Sequence, residues 1–98
     1  MEGPDDVIHQ PVRLRVMAAL TALDPDEDGL DFTRLKGLTG ATDGNLGAHL
    51  DHLARAGYVE VTKAFVARRP RTTVKASMAG RAVFARHVAF LKSIIAGA

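Results

Sequence analysis

Five basic residues lie close together in this 98-residue chain, and no acidic residue separates them. They are Lys63, Arg68, Arg69, Arg71 and Lys75. The neighbouring residues alternate as in β-strands and residues 67–71, which include Pro70, interrupt the pattern. This predicts a β-hairpin, or wing, at about residues 64–72 with a basic loop over 67–71 at its tip. Lysine and arginine contact phosphate groups, so this cluster predicts a polyanionic partner. The alternative is a solvated cationic hairpin.

The charge of the chain is unevenly distributed. Residues 1–31 carry a net charge of −6, and residues 32–98 carry +8, although the total is only +2. Such asymmetry favours a polyanion as the partner of the basic part. An ordinary solvated surface is the alternative, because net charge bears on non-specific binding and not on fold.

A second group of polar residues lies on a helix predicted at about residues 42–56. Thr42 is suited to cap its start, and Gly57 ends it. The apolar stripe of this helix consists of Leu46, Leu50 and Leu53. Successive side chains are about 100° apart around a helix, so residues away from this stripe face outward. They are Gly44, Asn45, Ala48, Asp51, His52 and Arg55.

The elements that must position these two groups form one domain, since 98 residues leave room for a single small core. Residues 1–10 lack periodicity and read as a flexible arm. A helix starting at Pro11, a short strand and a second short helix ending at Gly40 precede the helix over 42–56. Ser77 is suited to cap a last helix that runs from Met78 to about Ile95. The predicted fold is therefore mainly α with a small β-hairpin, an α+β fold.

The predicted elements have the order of a winged helix-turn-helix. A short helix is followed by a tight turn, a helix with a polar outer face and a hairpin with a cationic tip. The chain resembles the winged-helix transcriptional regulators of bacteria and archaea, near the MarR and ArsR groups. The resemblance covers about residues 8–95 and rests on four segments: PVRLRVMAAL, LTGATDGNLGAHLDHLARAGYVEV, ARRPRTTVKAS and SMAGRA. It implies a DNA-binding domain over residues 11–76 and a dimerisation helix over 77–98.

The resemblance also implies which residues meet double-stranded DNA. In the recognition helix these are Thr42, Asp43, Gly44, Asn45, Ala48 and His49, with His52 farther along meeting a phosphate or solvent. Asn45 is the best candidate for reading a base edge, because an amide can pair bidentately with adenine. Alternatively, Asn45 only supports the first turn of the helix. Gly47 and Ala48 depart from the family pattern, in which a hydroxyl residue and then a basic or polar residue follow the Asn-Leu pair. Neither residue has a side chain that can donate to a base or phosphate.

In the family resembled, terminal helices pair two subunits. Two apolar stripes on the last helix fit such a homodimer interface: Val83, Phe84, His87, Val88, Phe90, Leu91, Ile94 and Ile95. The alternative is that both stripes pack on the first helix of the same chain. We expect any small-molecule effector to bind between the last helix and the first.

Other chemistries find little support in the sequence. The chain has no cysteine, and an EF-hand-like start at Asp24 has Leu35 where calcium binding needs a bidentate glutamate. His49 and His52 have a spacing that can bind one metal, but without further ligands we predict no metal and no cofactor. Helix capping or helix-surface roles explain Ser77 and Ser93, so no enzyme activity is predicted.

The absence of a long apolar run and of a signal sequence predicts a cytoplasmic protein without membrane association. We therefore expect a homodimeric, sequence-specific DNA-binding transcriptional regulator that acts as a repressor. The alternative is a winged-helix protein-interaction module that has lost or weakened its DNA reading.

Overall fold

The computed structural model describes residues 5–97. Within them, four helices and three strands follow the predicted order. They are α1 (Pro11–Thr21), β1 (Leu30–Asp31), α2 (Phe32–Thr39), α3 (Asp43–Arg55), β2 (Val59–Val66), β3 (Arg69–Ala76) and α4 (Met78–Gly97). The predicted α+β winged-helix fold is confirmed, including the short strand before α2.

Each of the first three helices begins at a side chain that caps it. The side chains of Gln10, Asp31 and Thr42 accept hydrogen bonds from the backbone N–H three residues further on, at 2.9, 2.7 and 3.2 Å. These bonds satisfy N–H groups that have no partner within the helix. α2 ends at Gly40, whose φ of 71° lies in the left-handed region that glycine adopts without strain. The sequence therefore sets the limits of the helix-turn-helix locally.

The hairpin is longer and its turn tighter than the sequence predicted. β2 and β3 pair antiparallel from Val59 opposite Ala76 to Val66 opposite Arg69. Only Ala67 and Arg68 form the tip, both with positive φ, as in the two-residue turns that match the twist of paired strands.

The prediction that residues 67–71 form a loop is therefore wrong, since Pro70 lies within β3 opposite Phe65. β1 pairs only with Thr73 and Val74, so β3 has an open edge at Pro70, where a missing N–H is tolerated.

The core lies between α1 and the elements around it, since α1 contacts α2, α3, α4 and β3. The largest side chains that are fully buried include Ile8, Met17, Leu20, Leu35, Leu46 and Leu53. The first turn of α4 packs tightly on the start of β2. Ser77 Oγ accepts from Gly80 N at 3.0 Å and donates to the carbonyl of Gly57 at 2.6 Å, which confirms the predicted cap.

Residues 5–10 are packed on the domain, so the prediction of a flexible arm is wrong for this part, and residues 1–4 lie outside the described chain. Ile8 is fully buried in the core. The carboxylate of Asp5 accepts hydrogen bonds from the N–H groups of Val7 and Ile8 and, at 2.9 Å, from the hydroxyl of Tyr58. These six residues have no repeating apolar pattern that would indicate burial, so their contact with the domain could not be predicted from the sequence.

One of the two apolar stripes of α4 faces the chain itself. Val83 belongs to the core, and His87 is only 2% exposed, with its ring 5.4 Å from that of His9 in an edge-on arrangement. The arm and the core of the same chain cover these two side chains, so they are not open to a second subunit, contrary to the prediction that they belong to a subunit interface. Ile94 and Ile95, near the end of the helix, are exposed.

Candidate nucleic-acid interface

The recognition helix α3 has a buried side and an uncovered side. Leu46, Leu50 and Leu53 hold its inner face in the core. Six of the seven predicted contact residues on this helix are exposed: Thr42, Asp43, Gly44, Asn45, Ala48 and His52. Because the apolar spacing fixes which side is buried, the structure leaves these residues exposed on the outer side of the helix.

A single ion pair joins α2 to the first turn of α3. The Lys36 ammonium lies 2.6 Å from Oδ1 of Asp43, and the Asp43 side chain is 74% exposed. The N-terminal end of a helix favours a negative charge, so both the helix dipole and Lys36 stabilise the carboxylate. Lys36 is not among the predicted site residues, because only the turn between the helices brings residues seven positions apart together.

His49 is less exposed than the other predicted contact residues of this helix. It is half-buried between α3 and α1, where its Nδ1 lies 3.2 Å from the Arg13 guanidinium. Burial lowers the pKa of His49, and the charges of Arg13 and His52 lower it further. A neutral ring can accept a hydrogen bond from Arg13, so this side chain holds α3 against α1. Its predicted place at the DNA contact stays a prediction.

The five basic residues of the hairpin lie on different sides of it. Cross-strand pairing puts Lys63 on the face that also carries the core residue Val74, whereas Arg69, Arg71 and Lys75 lie on the opposite face and Arg68 at the tip. Arg71 lies 3.4 Å from Asp31, and Lys75 stands opposite Glu60. Of these five residues, only Arg71 forms an ion pair within residues 5–97, whereas Lys63, Arg68 and Arg69 are exposed without one and Lys75 is half-buried.

The outer end of the hairpin also presents apolar groups that are not among the predicted site residues. Phe65 is 76% exposed, and Val66 is exposed beside it. In the sequence they continue an alternating strand pattern, which gives no sign that the strand extends past the core. Their exposure shows that the hairpin projects beyond the domain, as a wing must do to reach a partner.

α3 and the hairpin border one cleft of about 560 Å³. Gly47 and Asp51 line it from α3, and Val61 and Lys63 line it from β2. The recognition helix and the wing therefore face the same side of the molecule. A partner of extended shape can touch both at once.

Within residues 5–97, no three His, Asp or Glu side chains come together as a metal site would require. No helix in this range is long and apolar enough to cross a membrane.

A recognition helix with an open outer face, preceded by a short helix and followed by a basic hairpin, defines a winged helix. Residues 12–95 match the family described as winged helix DNA-binding domain, and the chain belongs to that family. The match covers every element that forms the candidate interface. DNA binding is thereby shown as the general role of this domain.

Two related proteins extend this result. The chain is 31% identical to a transcriptional regulator homologue from Pyrococcus horikoshii OT3, with a TM-score of 0.83 over 95% of this chain and 88% of that one. It is 33% identical over 82 residues to an uncharacterized protein of Methanocaldococcus jannaschii, which covers 84% of this chain and 85% of the relative. The prediction of a winged-helix transcriptional regulator is confirmed. The resemblance to the MarR and ArsR groups stays a prediction.

Proposed function

We propose that this protein is a homodimeric repressor that reads a specific double-stranded DNA sequence. In this proposal α3 enters the major groove, whose width of about 12 Å accepts a helix, and the wing contacts the adjacent backbone or minor groove. The observation that carries the proposal is the shared cleft of α3 and β2, which puts the exposed recognition helix and Lys63 of the wing on one side.

The wing supplies most of the affinity in this arrangement. Lys63, Arg68 and Arg69 are exposed, and Arg71 is only weakly held by Asp31 at 3.4 Å. If three or four of these cations meet phosphates in each subunit, a dimer makes about six to eight such contacts. The logarithm of the binding constant then falls with the logarithm of salt concentration with a slope of about −5 to −7.

The homodimer is proposed through the outer side of α4. Phe84, Val88 and Leu91 are half-buried, and Ile94 and Ile95 are exposed farther along the helix. Pairing two copies of this stripe removes apolar area from water in both subunits. A two-fold axis through the pair would space the recognition helices about 34–36 Å apart and require a pseudo-palindromic site.

Repression follows most simply from this arrangement. A repressor only has to occupy DNA that the transcription machinery needs, so the DNA contact and the dimer contact are sufficient for the activity. An effector that binds between α4 and α1 would act on the helix that joins the subunits. It would thereby change the spacing of the two recognition helices.

Selection of bound fragments from genomic DNA, followed by salt titration of the selected duplex, tests the proposal. Arg69→Ala should weaken binding to all duplexes about equally, because a phosphate contact carries no sequence information. Arg15→Ala is the matched control, since it removes one exposed arginine from α1. Unchanged affinity and salt slope after removal of Arg68, Arg69 and Arg71 together would refute the role of the wing.

A protein-interaction module is the second candidate, and one observation favours it. The exposed residues of the first two turns of α3, Asp43, Gly44, Asn45, Gly47 and Ala48, include no cation. Titration with random double-stranded and single-stranded DNA separates the candidates. A dissociation constant above about 10⁻⁴ M at both low and physiological salt would favour the module, since non-specific binders of DNA reach at least that affinity.

A further inference from the structure

Few groups at the start of α3 are free to form hydrogen bonds with a base. Thr42 Oγ1 already accepts from the backbone N–H of Asn45. His49 is held by Arg13, and the small residues of these turns have no polar side-chain atom. The polar side chains that remain exposed in the first two turns are those of Asp43 and Asn45.

Asp43 has the geometry of a positioned acceptor. It is the first residue of α3, and its Oδ1 is held 2.6 Å from Lys36 Nζ while its side chain stays 74% exposed. Within residues 5–97, its Oδ2 forms no hydrogen bond and is free to accept one. The N-terminal residues of a recognition helix are those that reach base edges in the major groove.

The chemistry of a carboxylate restricts the bases that it can meet. An ionised carboxylate only accepts hydrogen bonds. In the major groove guanine presents two acceptors and thymine presents its O4 acceptor, so both repel the charge. Adenine has an N6 donor next to the N7 acceptor, whereas cytosine offers its N4 donor without a neighbouring acceptor.

We propose that Asp43 selects cytosine at one position of each half-site, and that Lys36 is its positioning residue. The inference rests on the proposed function, in which α3 lies in the major groove. Lys36 holds one carboxylate oxygen and offsets the negative charge that would otherwise repel the DNA backbone. The second oxygen then accepts from cytosine N4.

Selection from a random double-stranded library with the full chain tests this proposal. Wild-type protein should enrich sites with an invariant cytosine in each half-site and discriminate against other bases there by about 5- to 150-fold. Asp43→Asn should move the preference at that position toward adenine, which an amide reads, and Asp43→Ala should abolish it. Lys36→Gln should reduce the cytosine preference while leaving the preferences at the other positions unchanged.

Asp26→Asn is the matched control, because Asp26 is an exposed acid in the turn between α1 and β1 and does not line the cleft of α3 and β2. It should leave the selected sequence unchanged. If the wild type enriches a site and Asp43→Asn enriches the same one, the role of Asp43 is refuted and sequence-specific binding stands. If the wild type binds DNA without enriching any sequence, both proposals fail. Circular dichroism spectra establish that each variant is folded.

Discussion

The same glycine-to-alanine substitution should have opposite effects at two helical positions of this protein. Gly47 lies in the interior of α3, and a Cβ built there meets no atom within 4 Å. Gly80 lies in the first turns of α4, where a Cβ would be 2.0 Å from the carbonyl oxygen of Tyr58. Position 47 therefore has room for a methyl group, whereas backbone atoms occupy the space that a methyl group would need at position 80.

The expected magnitudes follow from this difference. Alanine is more favourable than glycine in a helix interior by about 1 kcal/mol, mainly because glycine loses more backbone entropy on folding. Gly47→Ala should therefore raise the free energy of unfolding by about 1 kcal/mol, which corresponds to an increase in Tm of about 4–8 °C for a domain of this size. Gly80→Ala should lower the free energy of unfolding by about 1–3 kcal/mol, because backbone atoms must shift to admit the methyl group.

Urea unfolding followed by far-ultraviolet circular dichroism measures both variants. Stability changes should move the midpoint and leave the slope with urea unchanged. The titrations are run at two protein concentrations, because the stability of a dimer depends on concentration. A lower midpoint for Gly47→Ala would refute the open environment assigned to this position. A neutral effect of Gly80→Ala would refute the close approach of α4 to Tyr58.

Three further predictions concern the arm and α4. Burial, and then the charge of His9, lowers the pKa of His87 from 6.5, so the unfolded chain binds more protons than the folded one below about pH 6.5. Stability should therefore fall as the pH drops from about 7 to 5, and His87→Leu should flatten this decline; an equal decline in both proteins would contradict the assignment. Tyr58→Phe should cost about 1 kcal/mol in urea unfolding through loss of its bond to Asp5, and a midpoint equal to that of the wild type would argue against the packed arm. Replacing Ile94 and Ile95 by serine should halve the mass found by light scattering while the circular dichroism spectrum is kept, whereas an unchanged dimer would exclude the end of α4 as the interface.

The local signals of the sequence were reliable for the elements that form the candidate interface. Thr42 caps α3 as predicted, and Gly40 ends α2 in a left-handed conformation. Such signals act within a few residues, so they survive in any tertiary context. The hairpin was less accurately predicted, because Pro70 was read as a break, whereas an open strand edge tolerates it.

The sequence by itself determined the winged-helix order, the caps of the helices and the basic hairpin, since these depend on spacing and on neighbouring residues. Only the tertiary structure decided that residues 5–10 cover His87, that His49 turns to Arg13, and that Lys36 holds Asp43. Each of these contacts joins separate elements of the fold. Periodicity specifies which side of a helix is buried, but the identity of the neighbour follows only when the chain is packed.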